Sequence, residues 1–157
     1  NMQCDTIALA LKCGLTNFAV LSLGRDNAEF TCDELPALGT FHTAIHSGSD
    51  DQYIAFRNYL SARFAYLINK LKETTDENGD SLLDTTLVLQ ITCMGHGNAH
   101  DTNNAPFTMA TATKNMIGGR GFSVAHSDSL LDTVSAALGV DGQMQTYGGG
   151  APSGLLL

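Results

Sequence analysis

Ser49 followed by Gln52, and then Tyr53, Phe56, Leu60, Phe64, Leu67 and Leu71 at spacings of three and four, restrict this chain more than any other stretch. A serine with a glutamine three positions on is a capping box, and the periodicity beyond it is that of one helical face. The pattern predicts an amphipathic helix running to about Lys72, with an apolar stripe that the rest of the chain must cover. With 157 residues, 43% of them apolar and 15% charged, there is material for one sizeable core, so residues 1–157 read as a single domain.

Other elements follow from shorter signals. Asp5 to Lys12 combines good helix formers and stops before Gly14, a left-handed cap. Asn17 to Leu23 is an apolar run ended by Gly24 and reads as a strand buried on both faces. The stretch from Gly24 to Gly48 reads as loop. Asp76 to Asp80 (DENGD) is a turn that lacks the sixth-position glycine and terminal Glu of a calcium loop. Thr86 to Thr92 is a second buried strand, and Phe107 to Thr113, introduced by Pro106, a third. Ser127 or Asp128 caps a last helix that ends at Gly139. Helices and strands that alternate in this way predict an α/β fold of three layers, α/β/α, around a mostly parallel sheet.

Charge and cysteines exclude several classes. Eight basic against sixteen acidic residues give a net charge of -8, which offers no phosphate-neutralising surface for nucleic acid. No apolar run reaches the roughly 20 residues of a membrane span, and Asn1 onward lacks the order of a signal peptide. Cys4 and Cys13 share the first helix about 13 Å apart, too far for a disulfide. Cys93 reads as a buried thiol at a strand end, and without a CxxC pair a thiolate zinc ribbon is excluded.

The chemistry-bearing residues are histidines: His42 with His46, and His96 with His100. On a helix, a spacing of four would put both imidazoles of a pair on one face; Gly95 and Gly97 instead place the second pair on a loop beyond a strand end, where α/β folds bind ligands. Neither HTAIH nor HGNAH has the glutamate of a HExxH metalloprotease. As loop ligands they suit zinc or another divalent metal if a carboxylate joins them, and Asp101 and Asp26 are the available acids. His126 and Arg120 read as surface residues, and Ser47 as helix-flanking. No GxSxG elbow, phosphate loop or GxGxxG motif is present, so a hydrolase made of these residues depends on metal-activated water.

MGHGNAHDTNNAPFTMA after TLVLQIT resembles the carboxyl-terminal metal segment of the alkaline phosphatase superfamily. Taken with MQCDTIALALKCGLTNFAVLSLG, FHTAIHSG and FAYLINKLKETTDENGDSLLDTTLVL, nearly the whole chain resembles the last part of the bacterial DUF1552 group, named for an HxxSHH motif and related to the DUF1501 group. At the HxxSHH position the chain reads His42-Thr43-Ala44-Ile45-His46-Ser47, so the serine and the last histidine are replaced. The superfamily's Asp-His turn appears as Gly95-His96, and of the related group's Trp-Asp-Thr-His stretch only Asp26 remains.

The resemblance implies an alkaline-phosphatase-like fold and an exported protein, periplasmic or secreted. It also implies a metal site at the strand ends that acts on a small anionic substrate, a phosphate or sulfate ester. His96, His100 and Asp101 are then the principal ligands, with His42, His46 and Asp26 contributing. The family's nucleophile precedes the matched segments, so the resemblance further implies a missing amino-terminal portion, or an oligomer that completes the sheet. A non-catalytic binding or structural module of the cell envelope is the alternative.

Overall fold

The computed structural model describes residues 1–23, 30–46, 48–114, 116, 119, 121 and 127–140. Among them the helices are α1 (Met2–Lys12), α2 (Phe41–His46), α3 (Asp50–Glu73), α4 (Leu82–Thr85) and α5 (Ser127–Ala137), with a single 3-10 turn at Pro36–Leu38. The strands β1 (Val88–Ile91) and β2 (Phe107–Ala110) form one antiparallel pair, with Val88 opposite Ala110 and Ile91 opposite Phe107.

The long helix starts where the capping box places it. Ser49 Oγ accepts from Gln52 N at 3.3 Å, and Ser49 N donates to Gln52 Oε1 at 2.9 Å. Asp50 and Asp51 in the first turn and Lys70 and Lys72 in the last complement the helix dipole. Its 24 residues span about 36 Å, long enough to serve two separate apolar clusters. Toward its carboxyl end, Leu71 packs with Ala8, Leu82, Leu83 and Val88, joining α3 to α1, α4 and β1. Toward its amino end, Phe56 packs with Cys32 and Ala44 beneath Phe30, Leu35, Leu38 and Phe41. Phe56 is 0% exposed and Leu71 1%, so the α3 stripe is the innermost surface of both clusters.

Polar ties fix α1 on the outside of this spine. Tyr66 donates its hydroxyl to Asp5 at 2.8 Å, and Lys70 Nζ lies 3.3 Å from the same carboxylate. The tyrosine hydrogen bond, helped by Lys70, holds the Asp5 carboxyl below its ordinary value. Arg63 donates to Glu34 at 2.6 Å and covers the Tyr59 ring at 4.4 Å. The Asp76–Asp80 turn uses its first carboxylate internally, accepting from Asn78 N and Asp80 N, which accounts for its superficial likeness to a calcium loop.

The expected three-layer α/β/α architecture with a mostly parallel sheet is overturned: helices predominate, and the sheet is one antiparallel pair. Two physical reasons account for the difference. A parallel return needs a crossover, usually a helix, whereas residues 92–106 between β1 and β2 contain none and double back through turns. Residues 17–23, expected as a doubly buried strand, have no partner strand or covering layer among the described residues, and Phe18 and Val20 are 77% and 78% exposed. Strand β1 itself is covered at Val88 and open at Ile91, and Cys93 just beyond it is exposed rather than buried. Cys4, Cys13, Cys32 and Cys93 are all free thiols.

Phe56→Ala is expected to destabilise the chain by about 3–5 kcal/mol in urea unfolding, the usual cost of emptying a buried aromatic site. Asp5→Asn tests the polar tie through pH. Because the folded carboxyl is depressed, its stabilisation is present above the ordinary carboxylate range and is lost as pH falls through the folded value. The Tm gap between parent and Asp5→Asn is therefore expected at pH 7 and should close in acid; a gap independent of pH would contradict the charge-based tie.

Candidate metal centre

Helix α2 lies within the stretch expected to be loop, and its start has a local cause. Thr40 Oγ1 accepts from Thr43 N at 3.1 Å, an amino-terminal cap that directly precedes Phe41. Phe41 N donates to Phe30 O at 3.0 Å, and the Phe41 ring packs on Phe56 at 5.4 Å and stacks on Tyr53 at 6.0 Å. With Phe41 and Ala44 turned into the α3 cluster, His42 and His46 are left together on another side of the short helix, their ring centroids 4.7 Å apart.

The third member comes from the turn between β1 and β2. Gly95 N and His96 N donate to Asp101 O, Asp101 N donates back to His96 O, and His100 N donates to Gly97 O, which closes a tight turn over residues 97–100. The two glycines that flank His96 have separate steric reasons. A Cβ on Gly95 would lie 1.8 Å from Asn103 O, where the loop doubles back, and one on Gly97 would lie 2.8 Å from Ile45 Cγ2. Gly97 thus lets the turn sit directly against α2. His100 has a φ of +52°, a left-handed conformation that histidine tolerates better than most residues. Such a conformation persists where its surroundings hold it.

This docking brings His100 Nε2 to 2.9 Å from His46 Nε2, across 54 positions of sequence. His46 Nδ1 lies 3.1 Å from Asn98 Oδ1, which can only accept, and this contact assigns the neutral His46 ring the tautomer with its proton on Nδ1 and a lone pair on Nε2. His100 Nε2 is then the donor between the two rings. Among the described residues His42, His46 and His100 form the group able to hold a metal ion, with one ligand atom from each inside a 4.8 Å span. His46 and His100 are exposed and His42 half-buried, with its Nδ1 shielded from solvent, so solvent and ligands can reach the group from one side.

The donor set fits a divalent ion. Two imidazole nitrogens on one tetrahedral zinc stand about 3.3 Å apart, and the 2.9 Å pair needs little opening to reach that spacing. Asn98 supplies the outer hydrogen bond that orients a ligating imidazole.

The other expected ligands have different places. His96 Nδ1 accepts from Ala99 N at 3.2 Å, so its ring caps the turn and lies outside the three-histidine group. Asp101 accepts from Asn103 N at 2.8 Å, and that backbone bond, followed by the Asn103 side chain, lowers its carboxyl below the ordinary value. It too is outside the group. Asp26, Ser47, Arg120 and His126 lie outside the described residues. Two residues that sequence reasoning passed over, Thr40 and Asn98, place the imidazoles. Thr40 after Gly39 is a legible cap signal, whereas nothing in the sequence ties Asn98 to His46. No family model, curated protein or solved structure matches the chain.

Gly97→Ala is expected to lift the turn off α2, costing about 1–3 kcal/mol as in other overpacked sites, and to separate His46 from His100. Ile45→Ala in the same chain opens the space again. Urea unfolding and imidazole NMR of the single and double variants check this; a double variant no better than the single one would show that the Gly97–Ile45 approach is not what seats the turn.

Proposed function

We propose that the chain is a metal-dependent hydrolase of small anionic esters, phosphate or sulfate, working at the exposed face shared by α2 and the β1–β2 turn. The observation that carries the reading is the convergence of His42, His46 and His100 inside 4.8 Å with two of the three open to solvent. Held by His42, His46 and His100, a zinc-like ion would supply Lewis acidity toward an ester and lower the pKa of a water to roughly 7.

The chain's own residues do the rest. Three neutral imidazoles leave an ion's charge uncompensated, so the centre attracts an anion although the chain carries -8 overall. Asn98 keeps the His46 proton on Nδ1 and its Nε2 free to ligate. The resemblance to exported bacterial proteins adds a periplasmic or secreted setting to this reading.

Elemental analysis of the purified chain beside a His46→Ala/His100→Ala variant is the first test, followed by p-nitrophenyl phosphate and sulfate hydrolysis. About one equivalent of metal in the parent, its loss in the variant, and turnover at least tenfold above the variant are expected. Metal without turnover would leave a non-catalytic metal-bearing module of the cell envelope. Absence of metal from both proteins, even after incubation with each ion, would remove the hydrolase reading.

A further inference from the structure

We infer that a borderline transition ion of the zinc class, held by His42, His46 and His100, is the clasp that docks the β1–β2 turn onto α2, so that ion binding and ordering of residues 95–104 are a single equilibrium. The inference rests on the metal-binding part of the reading above and is independent of ester hydrolysis.

The ligand chemistry selects the ion. All three donors are imidazoles, and no carboxylate or thiolate among the described residues joins them inside the 4.8 Å span. Imidazole suits Zn²⁺, Co²⁺, Ni²⁺ and Cu²⁺, whereas Mg²⁺ and Ca²⁺ require oxygen ligands.

The placement of the ligands supplies the coupling. His42 and His46 belong to α2, which is anchored on α3 through Phe41 and Ala44; His100 belongs to the turn and lies 54 positions away from His46. The contacts that hold the turn there include His46 with His100, His46 with Asn98, the His42 and His100 rings at 6.0 Å, and the close approach of Gly97 to Ile45. Both hydrogen bonds use one exposed imidazole, in competition with water. The turn also holds His100 and Asn104 at φ of +52° and +55°, left-handed conformations that are uncommon outside glycine and that histidine and asparagine adopt more readily than most residues. An ion between the rings replaces the proton that His100 Nε2 donates to His46 Nε2, that proton moving to His100 Nδ1. A weak exposed hydrogen bond thereby becomes a coordinate link between two elements, and a site assembled only when the turn is docked makes binding energy into ordering energy.

Hydrogen–deuterium exchange of the full chain with and without Zn²⁺, Co²⁺ or Mg²⁺, with bound zinc measured by calorimetry in parallel, tests the inference. Saturating Zn²⁺ or Co²⁺ is expected to slow exchange at least tenfold in peptides covering 95–104 and 41–46, Mg²⁺ to leave it unchanged, and α1 to be unaffected by any of them. His100→Gly, which accepts the positive φ, is expected to fold as the parent does and to lose the zinc-induced protection. Stoichiometric zinc binding with unchanged exchange in 95–104 would overturn the clasp while leaving the metal centre standing. Equal protection by Mg²⁺ would overturn the ion class, and protection retained in His100→Gly would overturn the ligand assignment. Absence of zinc binding would remove both this inference and the reading on which it rests.

Discussion

The burial of one face of α3 is the interaction on which the rest of the structure depends. Leu71 and its neighbours draw α1, α4 and β1 together at one end of the helix, while Phe56 draws residues 30–44 onto the other. Hydrophobic burial is non-directional and scales with apolar area removed from water, so a helix of about 36 Å with an unbroken stripe can organise two clusters that share few residues. The short elements gain their order from it. A six-residue helix such as α2 is too short to be stable alone, and the ring packing of Phe30, Phe41 and Phe56 supplies what propensity cannot.

The candidate metal centre inherits its geometry from that packing. Directing Phe41 and Ala44 inward decides where His42 and His46 are left on α2, and an i, i+4 pair on one turn is a ready-made half of a site. The second half depends on steric permission rather than attraction: Gly95 lets the loop double back and Gly97 lets it touch Ile45. Asn98 and His100 then meet the same imidazole from one turn. The carboxylate of Asp101, which chemistry alone would recruit to a metal, is instead committed to shaping the turn through Asn103.

Legibility in the sequence varied with the locality of the signal. The capping box at Ser49 and Gln52, the cap at Gly139 and the turn at Asp76–Asp80 are all found where expected, because each is decided within a few residues. The histidine pairs were visible, but not their grouping: His96 and His100 share a segment, yet only His100 joins His42 and His46. The parallel sheet failed because strand direction and neighbours are long-range properties. An apolar run such as residues 17–23 states that it can be buried, and says nothing about what is available to bury it.

By itself, then, the sequence determined the long α3 helix and its inward face, the ends of several elements, and a supply of imidazoles in two pairs, since these follow from periodicity, capping chemistry and composition. Only the tertiary structure decided that β1 and β2 run antiparallel, that α2 is helical, and that three of the histidines converge while Asp101 and His96 turn to the loop itself. The physical reason for the strand pairing, the short helix and the convergence is that they depend on contacts between residues from about 11 to 54 positions apart, which periodicity and capping signals do not encode.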